Sequence, residues 1–226
     1  MNTKMRGTTL PILDVEMKAG EEVYTESGGM AWMSPNISME SNMKGGLGKA
    51  FGRLFSGESM FMVTYRCDEG TGAITFCSEF PGRIIEFAMD GKKEIICQRD
   101  AFMVAESKVN LEIEFTKRIG AGFFGGEGFI LQKISGTGKA FLEIAGEVTE
   151  YQLKEGQSLK VDPGYIAAFE KGVDYDIERI KGVKNMLFGG EGLFLAHLTG
   201  PGKVWLQSMP LSNLAMKIAK FVPKKS

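Results

Sequence analysis

The stretch from Phe124 to Gly146 reads FGGEGFILQKISGTGKAFLEIAG, and 64 positions later the frame returns as FGGEGLFLAHLTGPGKVWLQSMP, from Phe188 to Pro210. It begins a third time at Phe55, with three extra residues before its second pair of glycines. Self-similarity at a fixed period indicates that one structural unit is used several times. The sequence therefore predicts three units of about 65 residues each.

These units are placed at residues 11–87, 88–152 and 153–211, within a single domain that spans 1–226. In the third unit, residues 193–198 alternate between two sets of side chains, and a Gly-Pro-Gly turn at 200–202 leads into a second alternating segment. Alternation at period two around a glycine turn is typical of a β-hairpin. We therefore expect an all-β protein built from three tandem β-sandwich repeats.

Two stretches have the spacing of an amphipathic helix instead. Between Met43 and Phe55, apolar residues recur at i, i+3, i+4 and i+7. After Pro210 a second apolar stripe is flanked by lysines toward the C-terminal end. The sequence predicts a short helix inserted in the first unit only, and a basic amphipathic helix over residues 212–226.

Composition narrows the classes of function. Lys and Arg total 27 against 28 Asp and Glu, a balance that lacks the electrostatic footprint of a general nucleic-acid binder. The three cysteines form no CxxC pair and are expected to be reduced thiols. No signal-peptide pattern and no apolar run of membrane-spanning length are found, so we expect a cytoplasmic protein without a membrane span.

Chemical motifs are weak. Residues 120–125 satisfy GxGxxG, but a strand is predicted after them where dinucleotide binding needs a helix, so we interpret them as a turn. His197 is the single histidine, and its equivalents in the other units are Thr64 and Lys133. A position that is polar in every unit favours a solvent-facing or inter-sheet role. We therefore predict no catalytic residue, no cofactor and no metal.

One carboxylate recurs in all three glycine turns, as Glu58, Glu127 and Glu191. If the units surround an axis, the three carboxylates could converge on a hard cation such as calcium. Alternatively, each could accept hydrogen bonds from backbone N–H groups of its own turn. We favour the structural role, because isolated carboxylates without Asp or Asn neighbours make poor calcium sites.

Several longer motifs carry a family resemblance. They are GGMAWM at 28–33, GGLGKAFGRLFSGES at 45–59, VDPGYIAAFE at 161–170 and GPGKVWLQSMPLSNLA at 200–215. In these the chain resembles an uncharacterised bacterial family related to the altered-inheritance-of-mitochondria proteins of mitochondrial biogenesis. The resemblance implies three repeats, each like one subunit of the tryptophan RNA-binding attenuation protein, a β-sandwich related to the double-stranded β-helix. It implies no enzymatic activity.

The leading functional hypothesis is a non-enzymatic protein that self-associates or binds a protein partner. Phe141 and Trp205 fall on the outward register of equivalent strands, and with Leu214 and Ile218 of the terminal helix they are expected to form an interaction surface in a homo-oligomer. The helix could instead pack on its own chain or touch an anionic membrane. The alternative function is a nucleic-acid or small-ligand binding module, by fold analogy alone.

The N-terminal third is also rich in methionine, with nine in the first 62 residues. Such a segment, together with Trp32, could form an adaptable binding surface. We interpret these side chains as core filling, because methionine fills irregular gaps and exposed apolar patches are uncommon.

Overall fold

A computed structural model describes residues 1–26, 29–43, 61–117, 129–179, 194–219 and 221–222. Three features named above lie outside these residues. They are the three recurrent turn carboxylates Glu58, Glu127 and Glu191, the GxGxxG segment at 120–125, and most of the predicted helix between Met43 and Phe55.

The described chain is mostly β-strand, which confirms the all-β prediction. The first seven strands are β1 (Asn2–Arg6), β2 (Ile12–Lys18), β3 (Glu22–Glu26), β4 (Met30–Met33), β5 (Ile37–Met43), β6 (Phe61–Cys67) and β7 (Thr71–Cys77). The middle five are β8 (Gly82–Asp90), β9 (Ile95–Gln98), β10 (Phe102–Glu106), β11 (Val109–Lys117) and β12 (Phe129–Ala145). The last six are β13 (Val148–Leu153), β14 (Ser158–Val161), β15 (Ile166–Glu170), β16 (Asp174–Arg179), β17 (Phe194–Thr199) and β18 (Gly202–Gln207).

Helical structure in the described part is short. Helix α1 (Leu211–Ala219) follows the last strand, and 3₁₀ turns at Arg99–Ala101 and Pro163–Tyr165 precede β10 and β15. The helix was expected over 212–226, and it begins one residue earlier and ends by Ala219.

One strand-pairing pattern occurs three times along the chain. β7 pairs with β2 and β4, while β6 pairs with β3 and β5. Likewise, β18 pairs with β13 and β15, while β17 pairs with β14 and β16. Between them, the 17-residue strand β12 takes both central places and pairs with β8, β9, β10 and β11. The repeat interpretation expects this recurrence, and superposition of the three units as sandwiches stays a prediction.

A register shift recurs at the same place in the third strand of each set, counted from β2, β8 and β13. In β4, β10 and β15 it falls between Met30 and Trp32, Phe102 and Val104, and Ile166 and Ala168. A β-bulge leaves one residue unpaired and bends its strand. We call β4, β10 and β15 the bulged strands.

The pairing also aligns the three polar positions predicted to be equivalent. Thr64 lies in β6 opposite Tyr24, and Lys133 lies in β12 opposite Ile96. His197 lies in β17 opposite Lys160. Each of these residues lies in the middle strand of its three: β6 lies between β3 and β5, β12 between β9 and β11, and β17 between β14 and β16. All three side chains are half-buried. The strand register therefore agrees with the sequence alignment at these positions.

The chain divides into two compact units, each with its own core. The first comprises residues 1–90, 102–109 and 136–143, and the second comprises 91–101, 110–135 and 144–226. In the first, β2 shows the expected period of two, because Leu13, Val15 and Met17 are buried while the residues between them face outward. The main core of the second unit includes Phe129, Leu131, Ile166, Leu198 and Val204. The single-domain description and the repeat boundaries stay predictions.

Candidate interaction surface

Phe141 and Trp205 hold equivalent positions in the pairing, opposite Val104 of β10 and Ala168 of β15 respectively. Their side chains are only 3% and 5% exposed. The expectation that they form an exposed aromatic patch is therefore wrong. Phe141 packs in the main core of the first compact unit. Alternation along a strand distinguishes its two faces, but it does not say whether the second face is also covered.

The polar N–H group of the buried Trp205 has a hydrogen-bond partner, and its ring has a neighbouring cation. Its indole Nε1 donates a hydrogen bond to Glu150 Oε1 at 2.9 Å, and Lys203 Nζ lies 5.6 Å from the ring centroid. Lys203 also pairs with Glu150, at 3.0 Å from Nζ to Oε2. The hydrogen bond from Lys203 is the main cause that lowers the pKa of Glu150, and the indole adds to it. The charged carboxylate of Glu150 thus accepts a hydrogen bond from the indole N–H of the buried Trp205.

Helix α1 is attached to the second compact unit at its start. The amide N–H groups of Asn213 and Leu214 donate to the Pro210 carbonyl oxygen, at 3.0 and 3.1 Å. The Asn213 side-chain amide donates to the Tyr165 hydroxyl at 3.5 Å, and Leu214 is half-buried. The first turn of the helix therefore packs on its own chain.

The other end of the helix is exposed in the part of the chain that the structure describes. Ile218 is 55% exposed, Phe221 86% and Val222 60%. Backbone hydrogen bonds from Phe221 to Ile218 and from Val222 to Ala219 continue the helical turn beyond its last residue. We call Ile218, Phe221 and Val222 the C-terminal apolar surface. Of the residues predicted to mediate interaction, Ile218 belongs to it and Leu214 lies at its inner border.

Trp32 is a second exposed aromatic side chain, at 51% exposure. The interpretation of the methionine-rich segment as core is right for Met17 and Met62, which are buried, and wrong for Trp32, Met5 and Met39. The aligned repeats contained a signal for this: a tryptophan stands in the first unit where the others have small or aliphatic residues.

The second compact unit contains a cavity of about 440 Å³ beside β15 and β16. Phe169 and Tyr175 stack in its wall, with ring centroids 5.6 Å apart, and Glu114 forms an ion pair with Lys171 there. Burial, with a smaller contribution from Asp176, raises the pKa of the Tyr175 hydroxyl. The cavity therefore offers a neutral aromatic wall beside paired charges, a combination suited to a small polar molecule with a flat apolar part.

His197 takes part in a partly exposed charge cluster. Its Nε2 lies 2.6 Å from Glu178 Oε1, which also lies 3.5 Å from Lys160 Nζ. Contact with His197 is the main cause that lowers the pKa of Glu178. Among the described residues, no group of three or more His, Cys, Asp or Glu side chains could hold a metal ion. Cys67, Cys77 and Cys97 form no disulfide.

Three comparisons place the chain among known proteins. A protein of Streptococcus pyogenes serotype M6, named only as uncharacterised, is 27% identical over 98% of this chain and 90% of its own length. The crystal structure of a protein from Streptococcus pyogenes has the same fold, with a TM-score of 0.79 and 24% identity, covering 98% of this chain and 99% of that one. In the described part, no helix has the length and apolarity needed to cross a membrane. The family model of the mitochondrial biogenesis protein AIM24 matches residues 3–209, so the chain belongs to that family.

Proposed function

We propose that this chain is a non-enzymatic cytoplasmic protein that acts by associating with copies of itself. The observation that carries the proposal is the C-terminal apolar surface, where Ile218, Phe221 and Val222 are each more than half exposed. Contiguous exposed apolar patches on soluble proteins commonly mark interaction sites.

The attachment of the helix supports this proposal. The side-chain amide of Asn213 donates to the Tyr165 hydroxyl at the start of the helix, while the apolar end is left exposed. A second copy can bury it against its own identical surface under closed symmetry, the usual arrangement of soluble oligomers. Cys67, Cys77 and Cys97 remain thiols, which is typical of proteins in a reducing compartment.

The experiment compares the mass in solution of four proteins by light scattering. They are the intact chain, a chain ending after Asn213, the double variant Ile218→Ser with Phe221→Ser, and the control Leu10→Ser. Leu10 is also exposed but lies outside the helix. We expect the truncated chain and the double variant to lose mass to smaller species, while the control stays as the intact chain. An unchanged mass in all four would contradict the proposal.

A further arm separates this proposal from membrane contact. Lysines at 217, 220, 224 and 225 surround the apolar surface in the sequence, and a basic amphipathic segment can bind an anionic bilayer. The intact chain is sedimented with vesicles of phosphatidylserine and phosphatidylcholine. If the chain is monomeric and sediments with the vesicles, the surface serves a membrane and self-association is rejected.

The cavity beside β15 and β16 supports a second candidate function, binding of a small molecule with a flat apolar part and a charged group. A library of such compounds is tested by thermal shift on the intact chain, and hits are repeated on Lys171→Met and on the control Lys154→Met. Loss of binding in Lys171→Met alone supports this function. Equal binding by both variants contradicts it.

A further inference from the structure

Two strand pairings connect one set of strands to the set before it, and both use equivalent strands. We call each such pairing a joint. Strands β3, β9 and β14 hold equivalent places: each directly precedes a bulged strand in the sequence and pairs with β6, β12 or β17. We call these three the receiving strands. Bulged strand β10 pairs antiparallel with receiving strand β3, and bulged strand β15 pairs antiparallel with receiving strand β9. In each case the bulged strand of one set adds to the receiving strand of the set before it.

The registers of the two joints coincide. Ala105 of β10 lies opposite Tyr24 of β3, and Phe169 of β15 lies opposite Ile96 of β9. Each of these pairs occupies corresponding positions, because Tyr24 faces Thr64 and Ile96 faces Lys133 across the central strands. The joint is therefore a defined element of the fold, and it occurs twice.

One bulged strand and one receiving strand remain without such a joint in the described part of the chain. Bulged strand β4 pairs there with β7, and receiving strand β14 pairs there with β17. By contrast, β5 and β16 pair with their central strands alone in the described sheets, so edges of that kind are ordinary for this fold. Within the described sheets, only β4 and β14 lack a partner that their counterparts have.

The exposure of side chains on β4 is consistent with a missing partner strand. Trp32 of β4 corresponds to Val104 of β10 and Ala168 of β15, since each follows the bulge directly. Val104 and Ala168 are 0% exposed, whereas Trp32 is about half exposed. A large aromatic side chain is thus exposed in β4 at a position whose equivalents in β10 and β15 are buried.

The receiving side shows the same difference. Lys160 of β14 corresponds to Tyr24 and Ile96, which are buried in their joints, and Lys160 is exposed. Lysine at a sheet edge commonly prevents strand addition. Here the Lys160 ammonium lies 3.5 Å from Glu178 Oε1 on β16, so the side chain is drawn across its own sheet. Among the described strands, none pairs with the other backbone edge of β14.

We propose that β4 of one copy pairs antiparallel with β14 of a second copy, in the register of the two internal joints. That register sets Trp32 opposite Val161, Met33 opposite Lys160, and Ser34 opposite Leu159. The occupant is a second copy because each chain carries both halves of the joint. Such a contact is head-to-tail, so it repeats from copy to copy until a ring closes. This inference rests on the proposed self-association, and it names an additional surface and the register of the contact.

Cysteine pairs test the register. Chains carrying Met33→Cys and Lys160→Cys separately are produced together and oxidised mildly, since cross-strand Cα distances in antiparallel pairs fall in the range that a disulfide spans. We expect a covalent dimer that contains one chain of each kind. Trp32→Cys with Lys160→Cys is the control, because a shift of one residue places the two side chains on opposite faces. The unsubstituted chain controls for Cys67, Cys77 and Cys97.

Two results of the cross-linking would overturn the pairing. One is an equal yield of dimer from the matched and the shifted pair. The other is a disulfide that forms only inside a single chain carrying both Met33→Cys and Lys160→Cys. Repeating the experiment in the chain that ends after Asn213 separates the two proposals. A dimer that persists there shows that the edge joint does not need the C-terminal apolar surface.

A second measurement avoids disulfides. Trp32→Lys places a charge on the β4 edge, while Met39→Lys places one at a similarly exposed apolar residue of β5. We expect light scattering to show a lower mass for Trp32→Lys, with at least a tenfold rise in the concentration needed for assembly, and an unchanged mass for Met39→Lys. Circular dichroism establishes that both variants are folded. Equal masses for the two folded variants would overturn the joint.

Discussion

Asp14 is a partly exposed carboxylate on β2 that accepts hydrogen bonds from side chains on the neighbouring strands β1 and β7. Arg6 Nε lies 2.6 Å from its Oδ2, and the Thr75 hydroxyl donates to its Oδ1 at 2.8 Å. The hydrogen bond from Arg6 is the main cause that lowers the pKa of Asp14, and the Thr75 bond adds to it. The charged form is therefore favoured in the folded state relative to the unfolded chain.

The sign of the pH dependence follows from this lowered pKa. The stabilisation is complete above the ordinary pKa of about 3.8 and is lost as the pH falls through the lowered value. We expect Asp14→Asn to reduce the free energy of unfolding by about 1 kcal/mol near neutral pH. The difference from the unsubstituted chain should shrink in acid. Urea unfolding at several pH values measures it, with Glu16→Gln, an exposed carboxylate on the same strand, as the control.

The burial of Trp205 gives a second prediction. Trp205→Ala is expected to reduce the free energy of unfolding by about 3–5 kcal/mol, because it leaves a cavity and removes the donor to Glu150. Trp205→Phe keeps most of the volume and should cost about 1 kcal/mol through the lost hydrogen bond. Tyr151→Ala, at an exposed aromatic residue of β13, is the comparison. If denaturant unfolding gives the two alanine variants equal stability, Trp205 is not a core residue.

At the scale of single elements, the turn between β12 and β13 depends on Gly146. Its φ is +77°, and a Cβ there would overlap the Ser208 hydroxyl and lie 3.0 Å from Met209 Cβ. Gly156 has a similar φ of +73°, yet a Cβ there would meet nothing within 4 Å. The two glycines therefore share the backbone requirement and differ in the space around them.

Alanine substitutions separate these two contributions. Both Gly146→Ala and Gly156→Ala carry the cost of a left-handed backbone, about 1–2 kcal/mol. Gly146→Ala adds the overlap with Ser208, so it should cost at least about 1 kcal/mol more. Thermal and urea unfolding of the two variants provide the comparison. Equal losses would mean that the Ser208 side chain moves aside freely.

Much of the element-level structure follows from local sequence. Alternation at period two predicts the strands at 111–116 and 204–207, since a strand with one buried face places apolar residues at every second position. The apolar stripe after Pro210 predicts α1, although its end at Ala219 does not follow from the stripe. The burial of Phe141 and Trp205 cannot be predicted locally, because it depends on what covers the second face of the sheet.

At the scale of the whole molecule, the recurring FGGEG frame predicts three units, and the pairing pattern recurs three times. The joints of β10 with β3 and of β15 with β9 could not be predicted. They connect strands far apart in the chain, and periodicity specifies which residues face inward without naming a partner strand. The exposure of Trp32 goes with the absence of such a joint at β4 in the described part of the chain. Candidate surfaces were therefore found where the structure leaves a joint open.

Metal content gives a prediction for the intact protein. With one histidine and three cysteines that form no CxxC pair, the chain offers few ligands for zinc, iron or manganese. We expect elemental analysis of the purified protein to find less than about one tenth of an equivalent of any of these metals. One equivalent per chain, retained after dialysis against a chelator, would contradict this. His197→Ala, which removes the only imidazole, is then the variant that locates the site.

The two tryptophans of the chain provide an optical reporter. Trp205 is buried against Glu150, whereas Trp32 faces solvent on the β4 edge, so the two indoles are expected to fluoresce at different wavelengths. In Trp205→Phe the emission comes from Trp32 alone. On dilution through the assembly equilibrium, that emission should move to longer wavelength as the edge becomes hydrated. Each preparation thus carries its own probe of whether this strand is covered, without any attached dye.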